Sequence, residues 1–189
     1  MPATSVRPLA PDDASAYRAL RLAGNAELPA AFCTTHAAES GLPLAQIAQR
    51  LRATSYQIIF GAFNEEQLIA IAGLRREPIA VVHDKASLWG VYVTPRARGR
   101  GAGRQLVQAA IDHACAIPEL ARMRLAVAQD NHAALTLYLS CGFTLADCPA
   151  ADGMLQMQLL LPRPARASAS PSAESNVFMK INTLQIPAK

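Results

Sequence analysis

The segment that most constrains this chain is a run of arginines and glycines that follows a short apolar stretch. It reads Val91-Tyr92-Val93-Thr94-Pro95-Arg96-Ala97-Arg98-Gly99-Arg100-Gly101-Ala102-Gly103-Arg104. This order predicts a β-strand, a glycine-rich turn and a helix that begins near Gly101. Backbone N–H groups at the start of a helix lack intrahelical partners, and the helix dipole adds partial positive charge there. With the four arginines of the run, these groups predict a binding site for a diphosphate.

The spacing within this turn distinguishes several kinds of phosphate site. A P-loop ends in Gly-Lys-Ser/Thr, and the run contains no lysine. The dinucleotide fingerprint G-x-G-x-x-G fails at its third glycine, because Arg104 or Leu106 stands there. A basic turn that merely caps an ordinary helix is a further alternative. The pattern that fits is Arg98-x-x-Gly101-x-Gly103 after a strand.

A second motif follows about thirty residues further along the chain. It reads Asn131-His132-Ala133-Ala134-Leu135-Thr136-Leu137-Tyr138-Leu139-Ser140-Cys141-Gly142-Phe143. The apolar residues recur at helical spacing, Asp130 or Asn131 can cap the start, and Gly142 can end the helix. Read without any ligand, Asn131 is only a helix cap and Tyr138 only a half-buried aromatic residue.

In this order and at this distance, the two motifs resemble the two signatures of the GNAT family, the Gcn5-related N-acetyltransferases. The resemblance covers about residues 3–162, which we take as one domain. It implies the α/β GNAT fold, a mixed central β-sheet of about seven strands flanked by about four helices. The patterns along the chain predict the same order, β-α-α-β-β-β-α-β-α-β-β. Predicted strands cover about 6–9, 56–63, 67–76, 86–93, 122–128, 143–146 and 154–161, and predicted helices about 11–23, 43–53, 101–117 and 131–141.

The resemblance also implies roles for individual residues. Val91 and Val93 would pair through their main chain with the pantetheine arm of acetyl-CoA, and Asn131 would contact that arm. The backbone of the turn would hold the diphosphate at Arg98, Gly99, Arg100, Gly101, Ala102, Gly103 and Arg104. Tyr138 would protonate the departing thiolate, because a phenol within hydrogen-bond reach is a usable donor to a thiolate.

The implied activity is transfer of the acetyl group of acetyl-CoA to a primary amine of a small molecule, peptide or protein. The amine would attack the thioester directly in a ternary complex. Many relatives have a glutamate as general base on the strand before the turn, but residues 87–93 contain no carboxylate. Water or one of Glu39, Glu77, His83 and Asp84 would have to serve, and Trp89 would line either the acceptor pocket or the core. Because no base is evident, a catalytically inactive acetyl-CoA-binding sensor or scaffold is the alternative function.

The composition argues against a nucleic-acid-binding, a zinc-binding or a membrane-spanning protein. The net charge of +4 is explained in large part by the arginines of the turn, and no aromatic residues are interleaved with basic ones as in nucleic-acid-binding proteins. The four cysteines and four histidines show no zinc-ligand spacing, so no metal is expected. The sequence shows neither a signal peptide nor the ~20-residue apolar run of a membrane span. We therefore expect a cytoplasmic protein without a nucleic-acid or membrane partner, and the resemblance leaves a homodimer open.

Residues 163–189 differ from the rest of the chain. They begin with proline, arginine, alanine and serine, the composition of a flexible linker, and end in a strand-like segment at Val177–Ile186. The resemblance does not extend to this tail, and the sequence predicts no role for it.

Overall fold

A seven-stranded mixed β-sheet forms the centre of the molecule, as the sequence predicts. The computed structural model describes residues 4–29, 35–76, 84–147 and 153–162. The strands are β1 (Thr4–Pro8), β2 (Gln57–Asn64), β3 (Gln67–Arg76), β4 (Lys85–Val93), β5 (Arg122–Ala128), β6 (Thr144–Leu145) and β7 (Met154–Leu160). They lie in the order β1-β2-β3-β4-β5-β7-β6. Among the strands of the described ranges, only the β4–β5 pair is parallel.

The described part of the chain contains five α-helices. They are α1 (Ala14–Glu27), α2 (His36–Ser40), α3 (Leu44–Arg50), α4 (Ala102–Cys115) and α5 (His132–Ser140), with 3₁₀ turns at Pro11–Asp13 and Pro95–Ala97. None of the helices in the described ranges is long and apolar enough to cross a bilayer.

The helices cover both faces of the sheet, because successive side chains of a strand point to opposite faces. On one face, Tyr17 of α1 and Ile47 of α3 pack with Ile59 and Ile71 of the sheet. On the other face, α4 packs its buried side chains against the second set of strand residues. Tyr138 of α5 belongs to that second cluster. The turn between β4 and α4 therefore connects the centre of the sheet to its α4 face.

The structure corrects two details of the predicted helices. The first helix continues to Glu27, beyond the predicted end near residue 23, so that Asn25 and Glu27 are helical. Between the first two predicted helices, where the sequence predicts a connecting segment at 24–42, the structure also contains α2. This helix is capped by a hydrogen bond from the Ala38 N–H to the Thr35 side chain. With five residues, α2 is too short to show helical periodicity.

Three segments, two loops and the tail, cannot be compared in full with the structure. Most of the loop at 77–85 and of the loop at 147–153 lies outside the described residues, and so does the whole tail at 163–189. The division of the chain into a domain at 3–162 and a separate tail therefore stays a prediction.

Candidate functional site

The parallel strands β4 and β5 separate at the middle of the sheet. Their ladder pairs Lys85 with Arg122 and continues to Ser87 and Arg124, where it ends. Strand β4 runs on to Val93 and β5 to Ala128, each still paired with its other neighbour. The facing edges of the two strands therefore diverge, and the main chain near Val91 and Val93 has no strand partner on that edge.

A bulge in β4 lies within this divergence. The β3–β4 register changes between Ile71, paired with Tyr92, and Gly73, paired with Trp89. Gly90 has φ +60°, a conformation that a residue with a Cβ rarely adopts. The extra residue changes the alternation of side chains, so that Leu88 and Val91 both pack on the α4 face.

The glycine-rich turn presents its backbone without obstruction. Gly99 and Gly101 have φ +72° and +83°, and a Cβ built at either position would meet no atom within 4 Å. Gly101 is the N-cap of α4, and no side chain caps this helix. The first N–H groups of α4 therefore remain available to an anion, as the diphosphate prediction requires.

Gly103 has a different physical reason for its lack of a side chain. A Cβ there would lie 3.3 Å from Leu137 Cδ2 and 3.4 Å from Val93 Cγ2. Gly103 thus lets α4 approach both α5 and the end of β4. This close packing brings the turn, the diverging strand and α5 together around one space.

The Arg98 side chain is engaged within the protein. Its Nε donates to the Val93 carbonyl at 3.0 Å, and its Nη2 lies 2.7 Å from Glu27 Oε1. The Tyr92 hydroxyl donates to the other oxygen of Glu27 at 3.0 Å. We call Glu27, Tyr92 and Arg98 the turn cluster. The bond from Arg98, assisted by the bond from Tyr92, lowers the pKa of the Glu27 carboxyl.

Two predicted site residues lie on α5. The Asn131 side-chain oxygen accepts a hydrogen bond from the Ala134 N–H at 3.1 Å, which confirms its predicted capping role. The same bond leaves the carboxamide nitrogen as the donor that a ligand could use. Tyr138 is buried edge-to-face against Phe143, with ring centroids 5.9 Å apart. Burial raises the pKa of the Tyr138 phenol far above its ordinary value.

A buried ion cluster lies among α1, α2 and α3, on the face of the sheet opposite to α4. Glu39 Oε2 lies 3.1 Å from Arg21 Nη2, and Glu39 Oε1 lies 2.9 Å from Arg50 Nη1. We call these three residues the buried triad. The Glu39 side chain is 0% exposed, so this base candidate is enclosed and ion-paired.

The other base candidates gain no support. Asp84 pairs with Arg122 at 3.6 Å, and Glu77 and His83 lie outside the described residues. Trp89 is half-buried, with its indole against Gly73 and its ring 5.7 Å from the Arg21 guanidinium. Among the described residues no group of three or more histidine, cysteine or acidic side chains could hold a metal ion.

The turn cluster is not visible as a unit in the sequence. Glu27 and Tyr92 are 65 positions apart, and no local pattern links a helix end to a strand across that distance. The one sequence signal for this cluster is Arg98, the second arginine of the turn. Its side chain can be held in place only by a partner on a neighbouring element, for example a carboxylate.

The sequence matches a known protein family, and the fold is similar to those of several solved structures. The model of the acetyltransferase (GNAT) family matches residues 25–143. The fold is similar to that of the GNAT-family acetyltransferase from Streptococcus pneumoniae (TM-score 0.71, 22% identity, 85% of this chain and 100% of that one). It is also similar to the ribosomal-protein-alanine N-acetyltransferase from Brucella melitensis (0.68, 24%, 83% and 99%). A third similar structure is the PaiA N-acetyltransferase from Thermoplasma acidophilum in complex with coenzyme A (0.65, 20%, 82% and 98%). No curated protein sequence matches the chain significantly.

Proposed function

Because the chain belongs to the acetyltransferase (GNAT) family, we propose that it transfers the acetyl group of acetyl-CoA to a primary amine by direct attack. Family membership confirms the resemblance predicted from the two motifs, and with it the GNAT fold and an acyltransferase activity. Acetyl-CoA as co-substrate agrees with the coenzyme A bound in the Thermoplasma relative. The acceptor class and the roles of single residues are parts of our proposal.

The divergence of β4 and β5 next to the open glycine turn is the observation that carries this proposal. An extended arm can add to an unpaired strand edge through main-chain hydrogen bonds, as an extra strand would. Val91 and Val93 lie on such an edge, where the Val93 carbonyl already accepts from Arg98, and the turn with Gly99 and Gly101 lies at its end. A ligand with a long amide-bearing arm and a diphosphate fits this arrangement in one direction only, with its thioester toward the bulge at Gly90.

The turn would hold the diphosphate through its backbone. The N–H groups from Arg98 to Arg104 would donate to the phosphate oxygens, assisted by the positive end of α4. The Arg98 side chain would act indirectly, because its guanidinium already contacts Glu27 and the Val93 carbonyl. Asn131 would donate from its carboxamide nitrogen to the arm.

Tyr138 would stabilise the departing thiolate. Because burial raises its pKa, the phenol keeps its proton at neutral pH and can donate a hydrogen bond to the sulfur as negative charge develops. The amine nitrogen forms a bond to the acetyl carbon, the carbon–sulfur bond breaks, and the thiolate takes a proton from the Tyr138 hydroxyl, which then regains one from water. The attacking amine would lose its own proton to water, since the carboxylates of Glu27, Glu39 and Asp84 are each ion-paired.

Release of the coenzyme A thiol tests the reaction. We expect release from acetyl-CoA in the presence of small amines, peptides or proteins with free amino groups. Tyr138→Phe should slow turnover by roughly a hundredfold, because a positioned acid contributes on that order. Its affinity for acetyl-CoA should change less than about twofold. Tyr56→Phe is the matched control, because Tyr56 is 56% exposed.

The outcomes separate the proposal from its alternative. Acetyl-CoA binding without thiol release over a broad range of amines would instead indicate the inactive sensor or scaffold. Equal turnover in the wild type and Tyr138→Phe would contradict the role of Tyr138 and leave the activity intact.

A further inference from the structure

The face of the sheet against which α1 and α3 pack is covered along β2, β3 and β4 but open to solvent along β5, β6 and β7. Burial alternates along β5, where Met123 and Leu125 are buried on the α4 face and Arg124 between them is exposed on the opposite face. We call this solvent-exposed part the open face. It carries Arg122, Arg124, Ala126, Thr144, Gln156 and Gln158.

The register of the strands places two arginines on either side of one serine at the edge of the open face. Arg124 of β5 is paired with Ser87 of β4, and Ser87 is in turn paired with Arg75 of β3. On its other side Arg124 is paired with Gln158 of β7. Side chains of paired residues point to the same face of a sheet, and both arginines are exposed. One row across four strands therefore carries two cationic side chains and no carboxylate.

Cations also lie side by side in the next row. Lys85 of β4 is paired with Arg122 of β5, and like charges directly opposite each other on neighbouring strands are destabilising. Asp84 lies 3.6 Å from Arg122, but the Arg122 Nε is buried and has no hydrogen-bond partner within the described residues. The strands β5, β6 and β7 contain neither an acidic nor an aromatic residue. A partner with carboxylates would relieve this repulsion, whereas the bases of a nucleic acid would find no ring on these strands to stack on.

The open face borders the proposed point of reaction. The β4–β5 ladder ends at Ser87 and Arg124, and the proposed thioester lies toward the bulge at Gly90. At about 3.3 Å per residue, Gly90 is roughly 10 Å from Ser87 along β4. An extended acceptor whose amine reaches Gly90 can therefore place side chains two to four residues away over Arg124. A second copy of this chain fits less well, because two-fold symmetry would bring the cationic face against itself.

We propose that the open face binds the acidic segment of a polypeptide acceptor, with carboxylates at Arg122 and Arg124, while the primary amine of the acceptor reaches the thioester near Gly90. Carboxylates complement the charge of this face, and the amides of Gln156 and Gln158 can donate to the same segment. This inference rests on the proposed function and names the acceptor class of that reaction.

Fluorescence anisotropy of two labelled peptides with the full chain tests the open face without turnover. Both peptides have a free amino terminus and no lysine, and they differ only in carrying three aspartates or three asparagines at positions two to four. At low ionic strength we expect the aspartate peptide to bind at least about fivefold more tightly, because several exposed ion pairs add up. Arg124→Glu should weaken its binding about tenfold and change that of the asparagine peptide less than about twofold. Arg52→Glu is the matched control, because it makes the same change of charge at an exposed arginine outside the open face.

Thiol release from acetyl-CoA with the same peptides separates the surface from the reaction. Faster acetylation of the aspartate peptide by the wild type, lost in Arg124→Glu and kept in Arg52→Glu, would support the proposal. Equal affinities of the two peptides, equal losses in both variants, or tighter binding of a single-stranded oligonucleotide would overturn it. Equal acetylation of both peptides would keep the proposed function and overturn the acceptor class. Binding of the aspartate peptide through Arg124 without thiol release from any amine would contradict the proposed function and leave the open face as a site for acidic polypeptides.

Discussion

Two clusters in this molecule join a glutamate to arginine, and they differ mainly in burial. In the buried triad, Glu39 is enclosed between Arg21 and Arg50. In the turn cluster, the side chains of Glu27 and Arg98 are 35% and 44% exposed, and the pair lies beside the proposed co-substrate site. The two clusters therefore use the same pairing chemistry, one inside the protein and one beside the proposed co-substrate site.

The difference indicates two roles. A buried charge that loses its partner keeps its full cost of desolvation, so the triad should contribute to the integrity of the α1 face. An exposed pair contributes little to stability, so the turn cluster should instead position the Arg98 guanidinium and, through it, the end of β4. We therefore expect Glu27 to act as a positioning residue for the co-substrate and not as a general base, since the bond from Arg98 lowers its pKa.

The largest expected effect comes from opening the buried triad. Glu39→Ala leaves the Arg21 guanidinium, only 4% exposed, without this carboxylate, and should lower the free energy of unfolding by about 3–5 kcal/mol. Chemical denaturation measures this. Glu119→Ala is the matched control, because Glu119 is 57% exposed and 3.7 Å from Arg76, and its change should stay within about 0.5 kcal/mol. Similar small losses in both variants would erase the contrast between the clusters.

The second prediction concerns the turn cluster. Glu27→Gln should weaken acetyl-CoA binding about fivefold by releasing Arg98, the effect of roughly 1 kcal/mol. If Glu27 acts through Arg98, the same change in an Arg98→Ala background should have no further effect on the dissociation constant. Calorimetry of the four proteins measures the cycle, and additive losses would show that Glu27 does not act through Arg98.

A smaller effect is expected at Tyr92. Tyr92→Phe removes the hydroxyl that donates to Glu27 at 3.0 Å but leaves the Glu27–Arg98 pair in place. Acetyl-CoA affinity should fall by less than about threefold, with a loss of stability near 1 kcal/mol. Affinity loss as large as that of Glu27→Gln would mean that the tyrosine, and not the ion pair, holds the turn.

The smallest effect is the pH dependence of the turn cluster. Because the folded pKa of Glu27 lies below its ordinary value of 4.5, its stabilisation is fully present above 4.5 and is lost as pH falls through the folded pKa. The difference in unfolding free energy between wild type and Glu27→Gln, under about 1 kcal/mol, should therefore shrink as pH falls below 4.5. A difference that grows on acidification would contradict this assignment.

Most strands and helices of the fold could be predicted from the sequence, because the residue patterns that specify them are local. Strand alternation and the glycine turn predict β4 and α4, and Asn131 with Gly142 marks both ends of α5. The sequence does not predict α2, because a helix of five residues is held by packing more than by its own periodicity. It also does not predict the end of α1 at Glu27, because helix ends carry weaker signals than helix centres.

The sequence predicts which residues belong to the candidate site but not which contacts each of them makes. The sequence shows four arginines in one turn, and only the structure distinguishes Arg98, held by Glu27, from Arg100, which faces a cavity. Likewise, the residue type and position of Glu39 make it a candidate base, and only the structure shows that it is buried. Both distinctions depend on contacts between elements far apart in the chain, which no local pattern encodes.

Calorimetric titration of acetyl-CoA into Gly101→Asp and Gly101→Asn tests the central claim, that the backbone of the turn holds the diphosphate. Both side chains tolerate the left-handed conformation of Gly101 better than most, and they differ mainly by one negative charge. We expect Gly101→Asn to bind within about tenfold of the wild type and Gly101→Asp to bind at least about a hundredfold more weakly, because like charges would meet. Equal affinities of the Asp and Asn variants would contradict the claim and place the diphosphate elsewhere.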